Sequence, residues 1–181
     1  MGFEKKILEN KLVQDFFQRK IGEHSIQLIK LYSKGKNLTE DKLSKKIGIK
    51  VTEIRTILNK MHYLGMADYD KTRNKKTGWY NYDWRINYKR IIELMLQEQS
   101  EQLKKLEIEE NTITEYSVFA CKKKCDQIVF EIAVQYQFKC PSCSQNMDYI
   151  NTETKSKGIK KDIKELHTTK EELLELQKVI K

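Results

Sequence analysis

The sequence predicts an α+β protein: an N-terminal helical domain that ends in a β-hairpin, a long linking helix, a small C-terminal metal domain and a helical tail. Apolar residues recur at helical spacing through the first third of the chain. Two β-prone runs, residues 66–73 and 79–86, then flank the turn NKKTG. Four cysteines lie in two close pairs farther along. At 181 residues the chain has room for two small domains and a connector.

The N-terminal region is predicted to be helical over residues 5 to 33, and two shorter helices follow. Thr39 is the expected N-cap of a helix that ends at Gly48, and Thr52 opens the next helix. In that helix the apolar residues fall at i, i+3, i+4 and i+7 and predict one buried stripe: Ile54, Ile57, Leu58 and Met61. Two short helices joined by the turn KIGIKVT are typical of a helix-turn-helix.

The hairpin that follows extends this pattern to a winged helix-turn-helix. In its second strand, WYNYDWRI, successive side chains alternate between two faces. The face that we expect to pack on the core carries Tyr80, Tyr82, Trp84 and Ile86. The outward face carries Trp79, Asn81, Asp83 and Arg85.

Trp79 therefore stands next to the turn on the predicted outward face. An exposed tryptophan beside Lys75, Lys76 and Arg85 suits stacking on an unpaired base or filling a pocket on a partner. The structural alternative is that its ring packs across the hairpin, onto Tyr69 or the stem of a lysine.

A long polar helix is predicted from residue 87 to about residue 111. Its apolar seam repeats at alternating steps of four and three: Ile92, Leu96, Gln99, Leu103 and Leu106. Such a helix either holds two domains apart or forms half of a coiled coil with a partner.

The tail begins as a polar linker, after which Thr169 and Glu172 form a predicted capping box for a final helix. Leu173, Leu176 and Ile180 make an apolar stripe along that helix. The stripe either binds a partner or packs back on the metal domain.

The cysteine pairs are Cys121 and Cys125 in CKKKC, and Cys140 and Cys143 in CPSC. Two knuckles of this kind bring four thiolates to one tetrahedral Zn²⁺, which is the closed coordination of a structural site. β-prone runs before the first pair and between the pairs, at 114–120 and 127–138, suit the strands of a zinc ribbon.

Two disulfides in a secreted domain are the alternative use of four cysteines. The N-terminus, MGFEKKILENKL, has no apolar run that suits a signal peptide or a membrane span. We therefore expect a cytoplasmic protein with reduced thiols, which favours zinc.

The net charge of +9 is concentrated in the N-terminal half. Residues 1–90 contain 21 Lys and Arg against 10 Asp and Glu, whereas residues 91–120 contain 2 against 7. A basic half suits a polyanion or an acidic protein surface as partner, and a lysine-rich solvated surface is the plainer explanation.

Catalytic signatures do not emerge from the sequence. His24, His62 and His167 are scattered, and no glycine-rich phosphate loop, GxSxG, HExxH or kinase motif occurs. Because the four cysteines are assigned to the metal, we expect a protein that is not an enzyme.

These elements predict four divisions of the chain. They are a winged helix-turn-helix domain over residues 1–88, a linking helix over 89–113, a zinc ribbon over 114–150, and a polar linker with a C-terminal amphipathic helix over 151–181.

Several strings together resemble archaeal transcription factor E, a relative of the alpha subunit of eukaryotic TFIIE. They are KIGIKVTEIRTILNKMHYLGMADY, the wing TGWYNYDWRINY, the linking helix and the ribbon ending FKCPSC, over roughly residues 20 to 150. The CKKKC knuckle is one residue longer than the family's usual CxxC. The chain lacks the long acidic C-terminal extension of the eukaryotic subunit, which favours the archaeal form.

The resemblance implies a general transcription initiation factor that binds the clamp and stalk of RNA polymerase in the preinitiation complex. Its partners there would be promoter DNA, TATA-binding protein and transcription factor B, with a beta-type subunit left open. It would promote promoter opening and stabilise the open complex near the non-template strand. Its location would be cytoplasmic and nucleoid-associated.

The resemblance also implies functional residues. The four cysteines fall on the family's ligands for one structural Zn²⁺. The residues that fall on its wing, which faces clamp and DNA, are Arg73, Lys75, Lys76, Trp79, Tyr80 and Tyr82. Arg85 joins them as a candidate for nucleic-acid or polymerase binding on the pattern of the strand alone.

Two other functions remain open from the residues. A sequence-specific winged-helix DNA-binding regulator would read bases with the exposed side chains of the second motif helix, which are Glu53, Arg55, Thr56, Asn59, Lys60 and Tyr63. A pure protein-interaction module of a multisubunit assembly is the other alternative.

Overall fold

A computed structural model describes residues 2–34, 39–73, 75, 78 and 80–180 of the chain. It is a mixed α+β structure with two compact units. Residues Met1–Leu96 together with Leu173–Lys181 form the first, and Gln97–Glu172 form the second.

The described residues of the first unit form five short helices and a hairpin, followed by the start of a long helix. The helices are α1 (Gly2–Glu9), α2 (Lys11–Lys20), α3 (Ser25–Lys34), α4 (Glu40–Ile47) and α5 (Val51–Tyr63). The hairpin consists of β1 (Ala67–Arg73) and β2 (Tyr80–Ile86), and the long helix α6 spans Tyr88–Glu115.

Helix boundaries follow local capping chemistry. Asn10 is the N-cap of α2, because its Oδ1 accepts a hydrogen bond from the Leu12 backbone N–H at 2.9 Å. Gly48 ends α4 with a φ of +83°, as predicted, since glycine reaches the left-handed region without strain. The predicted N-cap position Thr39 is also confirmed, although its side chain accepts no capping hydrogen bond. Helix α5 begins one residue before the predicted Thr52.

The core of the first unit lies among these helices and the base of the hairpin. The predicted stripe on α5 is confirmed, because Ile54, Ile57, Leu58 and Met61 are all buried. Each fully buried aliphatic side chain contributes about 1.5–3 kcal/mol relative to an exposed one.

The hairpin is antiparallel, with Ala67 opposite Ile86 and Arg73 opposite Tyr80. Trp84 is buried as predicted, at 7% exposure, but Tyr82 and Tyr80 are 37% and 51% exposed, so their assignment to the core is wrong. Burial falls along both strands toward the turn, because only the base of the hairpin is covered by helices.

Asn87 caps the N-terminus of helix α6, and its Oδ1 accepts a hydrogen bond from the Arg90 backbone N–H at 3.0 Å. Its seam residues pack within the chain: Ile92 and Leu96 in the core of the first unit, and Leu106 in a cluster of the second.

The second unit adds a three-stranded sheet, a short helix and a long one. Its elements are β3 (Val118–Cys121), β4 (Gln127–Val129), α7 (Phe130–Gln135), β5 (Met147–Tyr149) and α8 (Thr152–Lys178), whose residues from Leu173 onward belong to the first unit. The strand order is β4-β3-β5, and both pairings are antiparallel.

The predicted strand over residues 127–138 is wrong beyond Val129, because α7 takes its place. Val118 pairs with Val129, and the Phe130 backbone N–H donates to the Ser117 carbonyl at 2.8 Å. Helix α6 ends at Glu115, shortly before Ser117, so no strand faces the residues after Phe130. Their backbone groups bond within a helical turn instead.

The tail also differs from the prediction, since residues 152–178 form one helix rather than a linker and a short helix. Asn151 caps it, with its Oδ1 accepting from the Thr154 backbone N–H at 3.2 Å. Thr169 lies inside the helix and its hydroxyl donates to the Glu165 carbonyl at 2.9 Å, so the predicted capping box is wrong.

The apolar stripe of the tail has a place within the chain. Leu173 and Leu176 are buried in the core of the first unit, and Ile180 packs against that core. The alternative that this stripe packs on the metal domain is therefore wrong. Earlier in the same helix, Ile159 is buried with Ile113 and Val118 in the second unit.

Candidate metal centre and nucleic-acid surface

The four cysteines converge at one end of the three-stranded sheet. Cys121 closes β3, Cys125 follows the first turn, and Cys140 and Cys143 flank the second. All four Sγ atoms lie within 4.8 Å of one another, close enough to hold one metal ion. The Sγ of Cys121 lies 3.4 Å from that of Cys143 and 3.9 Å from that of Cys125. Sulfurs around a tetrahedral Zn²⁺ stand about 3.8 Å apart when each Zn–S bond is about 2.3 Å, so the donor set fits this ion.

Tight backbone turns build both knuckles. In the first, Lys124 adopts a φ of +59° and its N–H donates to the Cys121 carbonyl at 2.8 Å. In the second, Ser144 adopts a φ of +58° and its N–H donates to the Cys140 carbonyl at 2.8 Å. Each turn therefore uses a residue in the left-handed region, and the sulfurs of Cys121 and Cys125 in the longer knuckle lie 3.9 Å apart.

The electrostatics of the thiols are interdependent. Burial alone would raise the pKa of Cys121, but the backbone N–H of Lys123 and the neighbouring thiols lower it to about 7. Hydrogen bonding to Cys143 and burial raise the pKa of Cys125. Burial, and then the hydrogen bond to Asp126, raise the pKa of Cys140. Cys121, Cys125 and Cys140 therefore titrate as interacting groups rather than singly.

Asp126 contacts Cys140 of this cluster. The Cys140 thiol donates to its Oδ2 at 3.2 Å, and hydrogen bonds from Ser142 and Cys140 lower the pKa of its carboxyl. The buried residues around the cysteines are few: Cys121, Cys140 and Met147 form the whole buried cluster among the described residues. So small a core is typical of a domain that a metal stabilises.

The hairpin has two chemically different faces. The register puts Tyr69 opposite Trp84, Lys71 opposite Tyr82 and Arg73 opposite Tyr80, so one face is aromatic and basic. We call these six residues the aromatic-basic face.

The opposite face of the hairpin is mainly acidic. It carries Asp68, Asp70, Asp83 and Arg85. The Arg85 guanidinium binds the Asp70 carboxylate through two hydrogen bonds, of 2.5 and 3.1 Å. The positive charge of Arg85 is therefore largely compensated where it stands.

The binding residues predicted from sequence divide accordingly. Arg73, Tyr80 and Tyr82 share the aromatic-basic face, and Lys75 is exposed in the turn. Arg85 lies on the opposite face. Lys76 and Trp79 lie outside the described residues.

Sequence reasoning missed several residues of this surface. The Lys71 Nζ lies 4.0 Å above the centroid of the Tyr80 ring, a cation–π contact. Tyr69 contacts both Tyr82 and Trp84. The alternation of side chains along the first strand was the signal that could have identified them. The short turn determines which residues of the first strand lie opposite those of the second.

Together the fold and the site define an α+β protein with a cluster of four cysteines close enough to hold a metal ion, and an aromatic, basic hairpin. The sequence model of the TFIIE alpha subunit family matches residues 10–115. The chain belongs to this family, which confirms the resemblance drawn from the sequence.

Relatives match most of the chain. Transcription factor E of Archaeoglobus fulgidus is 34% identical over 170 residues, covering 93% of each chain. Transcription factor E of Thermococcus kodakarensis is 32% identical over 80% of this chain and 79% of its own. That of Metallosphaera sedula is 30% identical over 87% of this chain and 90% of its own.

Within the described part of the chain, no helix combines the length and the apolar character needed to cross a membrane.

Proposed function

We propose that the chain is a general transcription initiation factor that is not an enzyme. It binds the clamp and stalk of RNA polymerase in the preinitiation complex, promotes promoter opening and stabilises the open complex near the non-template strand. Membership of the TFIIE alpha subunit family supports the initiation role. The single structural observation that carries the DNA role is the aromatic-basic face of the hairpin.

Helices α3 to α5 and the hairpin form a winged helix-turn-helix in this proposal, and the hairpin is its wing. Lys71, Arg73 and Lys75 neutralise phosphates, while the rings of Tyr80 and Tyr82 stack on unpaired bases. Duplex DNA hides the faces of its bases, so this surface favours separated strands. Lys76 and Trp79 belong to the same proposed contact on the sequence alone. Arg85 contributes to it from the opposite face, by holding the two strands together through Asp70.

The four cysteines hold one structural Zn²⁺ in this proposal. The bound ion would cross-link the two knuckles and would take no part in a reaction. The chain's own residues orient the ligands: the Lys123 backbone N–H bonds the Cys121 sulfur, and the backbone N–H groups of Lys124 and Ser144 close the two knuckles.

The partners that follow are polymerase, promoter DNA, TATA-binding protein and transcription factor B in one assembly. A beta-type partner subunit is compatible with this assembly, and a nucleoid-associated, cytoplasmic location fits it.

A sequence-specific regulator is the second candidate, and the exposed side of α5 argues against it. Arg55 is bound to Glu40 through a hydrogen bond of 2.6 Å, and the Thr56 hydroxyl donates to the Thr52 carbonyl. The Lys60 ammonium lies 3.5 Å from the Ile21 carbonyl. Several side chains that would read a major groove are therefore engaged within the protein.

A mobility shift separates these two candidates. The purified protein is titrated against random duplex DNA and against a polymerase–promoter complex. We expect binding to require polymerase. Tight binding to the duplex alone would favour the regulator.

Promoter-dependent transcription tests the wing. Trp79→Ala should remove about 1–3 kcal/mol of complex stability, with the largest defect at low temperature or on a weakly melting promoter. On a pre-melted template the defect should shrink if the wing assists opening, and partly persist if it holds the open strand. Equal activity of both proteins on all templates, at limiting factor, contradicts a functional wing tip. Survival of polymerase binding after loss of every wing aromatic would favour a pure interaction module.

A further inference from the structure

A cavity of about 400 Å³ opens between helix α5, the start of α4 and the aromatic-basic face of the hairpin. The residues that line it are Glu40, Arg55, Asn59, Tyr69, Tyr80, Tyr82 and Trp84. The Tyr69 ring lies 4.9 Å from the Trp84 ring and 5.2 Å from the Tyr82 ring, centroid to centroid. The aromatic lining is therefore continuous from the buried base of the hairpin to its exposed part.

Trp84 forms the buried part of the cavity lining. Its indole N–H is buried and has no hydrogen-bond partner among the described residues. Because this N–H is shielded from solvent, it is not presented to a ligand in the cavity. Asn59, exposed on α5, adds an amide that both donates and accepts.

The charges around the cavity are segregated. At its wall the Arg55 Nε donates to the Glu40 Oε2 at 2.6 Å, and this pair is neutral in sum. Toward the tip of the hairpin, Lys71, Arg73 and Lys75 are all exposed and positive. The wall thus suits a neutral polar group, and the tip suits anions attached to it.

We propose that this cavity binds one unpaired nucleobase of a single strand, whose phosphates lie along Lys71, Arg73 and Lys75. A base is flat and neutral, stacks on aromatic rings and presents acceptor atoms at its edge. A phosphate in the cavity would lose its hydration among aromatic rings. A cationic side chain of a partner protein would be repelled, because the single carboxylate of Glu40 is outnumbered by four positive groups: Arg55, Lys71, Arg73 and Lys75. The inference rests on the proposed function, since it names the strand contact that the wing makes.

Fluorescence anisotropy with a short labelled single strand and the full, zinc-loaded chain tests this site directly, without polymerase. Tyr82→Ala should weaken binding by about 5-fold to 150-fold, whereas Tyr82→Phe keeps the ring and should bind nearly as the parent does. Asn59→Leu, at an exposed position, should weaken binding without affecting the fold. Tyr63→Ala is the matched control, because Tyr63 lies on the same helix, is 90% exposed and does not line the cavity.

A strand carrying 2-aminopurine adds a readout of stacking. Its emission should fall when the parent protein binds and should stay high with Tyr82→Ala. Thermal melting of every variant checks that the first unit remains folded. Equal affinity of the parent, Tyr82→Ala and Asn59→Leu would overturn the proposal, as would equal affinity for an abasic strand.

The same variants distinguish failure of the cavity from failure of the proposed function. If Tyr82→Ala and Asn59→Leu bind the strand normally but lose promoter opening, the base site is wrong and the initiation role stands. If they lose the strand and still open promoters normally with polymerase, the base site stands and the opening role of the wing is wrong.

Discussion

Tyr69 and Trp84 lie directly opposite each other in the hairpin, with ring centroids 4.9 Å apart. The His62 ring of α5 packs edge-on against Trp84 at 6.1 Å. These contacts join the base of the hairpin to the helices. The aromatic residues nearer the turn extend beyond this contact and remain exposed.

The first prediction concerns this contact. Trp84→Ala should lower the free energy of unfolding of the first unit by about 3–5 kcal/mol, because it removes a large buried ring and leaves a cavity. Urea denaturation followed by far-UV circular dichroism measures the loss. Tyr80→Ala, on the same strand face but half exposed, is the control and should cost less than about 1 kcal/mol. Similar losses of stability for both variants would mean that the burial of each ring does not determine its contribution to the free energy of unfolding.

The second prediction concerns the tail. Leu173→Ala should destabilise the first unit by about 2–5 kcal/mol, since Leu173 is fully buried in its core. Leu174→Ala, one residue later and 40% exposed, should be nearly neutral. Thermal unfolding of the two variants makes the comparison. If both melt with the parent, the tail does not contribute to the core.

The third prediction concerns the metal. Elemental analysis should find about one zinc per chain, because four thiolates satisfy one tetrahedral ion. Chelation should increase amide hydrogen exchange around residues 114–150, while the first unit stays folded, since its apolar core does not include the cysteines. Cys140→Ser should reproduce the effect. A metal-free preparation whose cysteine region is still protected from exchange contradicts this.

The fourth prediction compares two arginines. Arg73→Ala should weaken binding to single-stranded DNA and reduce the salt dependence of the affinity by about one charge, because Arg73 faces the strand in the proposed complex. Arg85→Ala should leave the salt dependence nearly unchanged, since Asp70 already compensates Arg85. Titrations at several salt concentrations provide both slopes. A larger change with Arg85→Ala would assign strand binding to the other face.

The sequence by itself determined the features that local pattern encodes. The spacing of Ile54, Ile57, Leu58 and Met61 determines which side of α5 is buried, because helical geometry puts these positions on one stripe. Two cysteine knuckles predict a shared cluster, since each tight turn brings its pair of sulfurs together and one ion takes four. The family itself was recognisable from the same strings.

Only the tertiary structure decided how far burial extends along each element. Alternation assigned Tyr80, Tyr82 and Trp84 to one face, but the end of the helical layer, which no strand pattern records, separates the exposed rings from the buried one. In the same way Phe130 is β-prone, yet its neighbours form a helix because β3 offers them no partner. Leu173 carries the same helical periodicity whether it meets a partner or its own core. Its burial depends on contacts with residues distant in the chain, and local sequence does not specify those contacts.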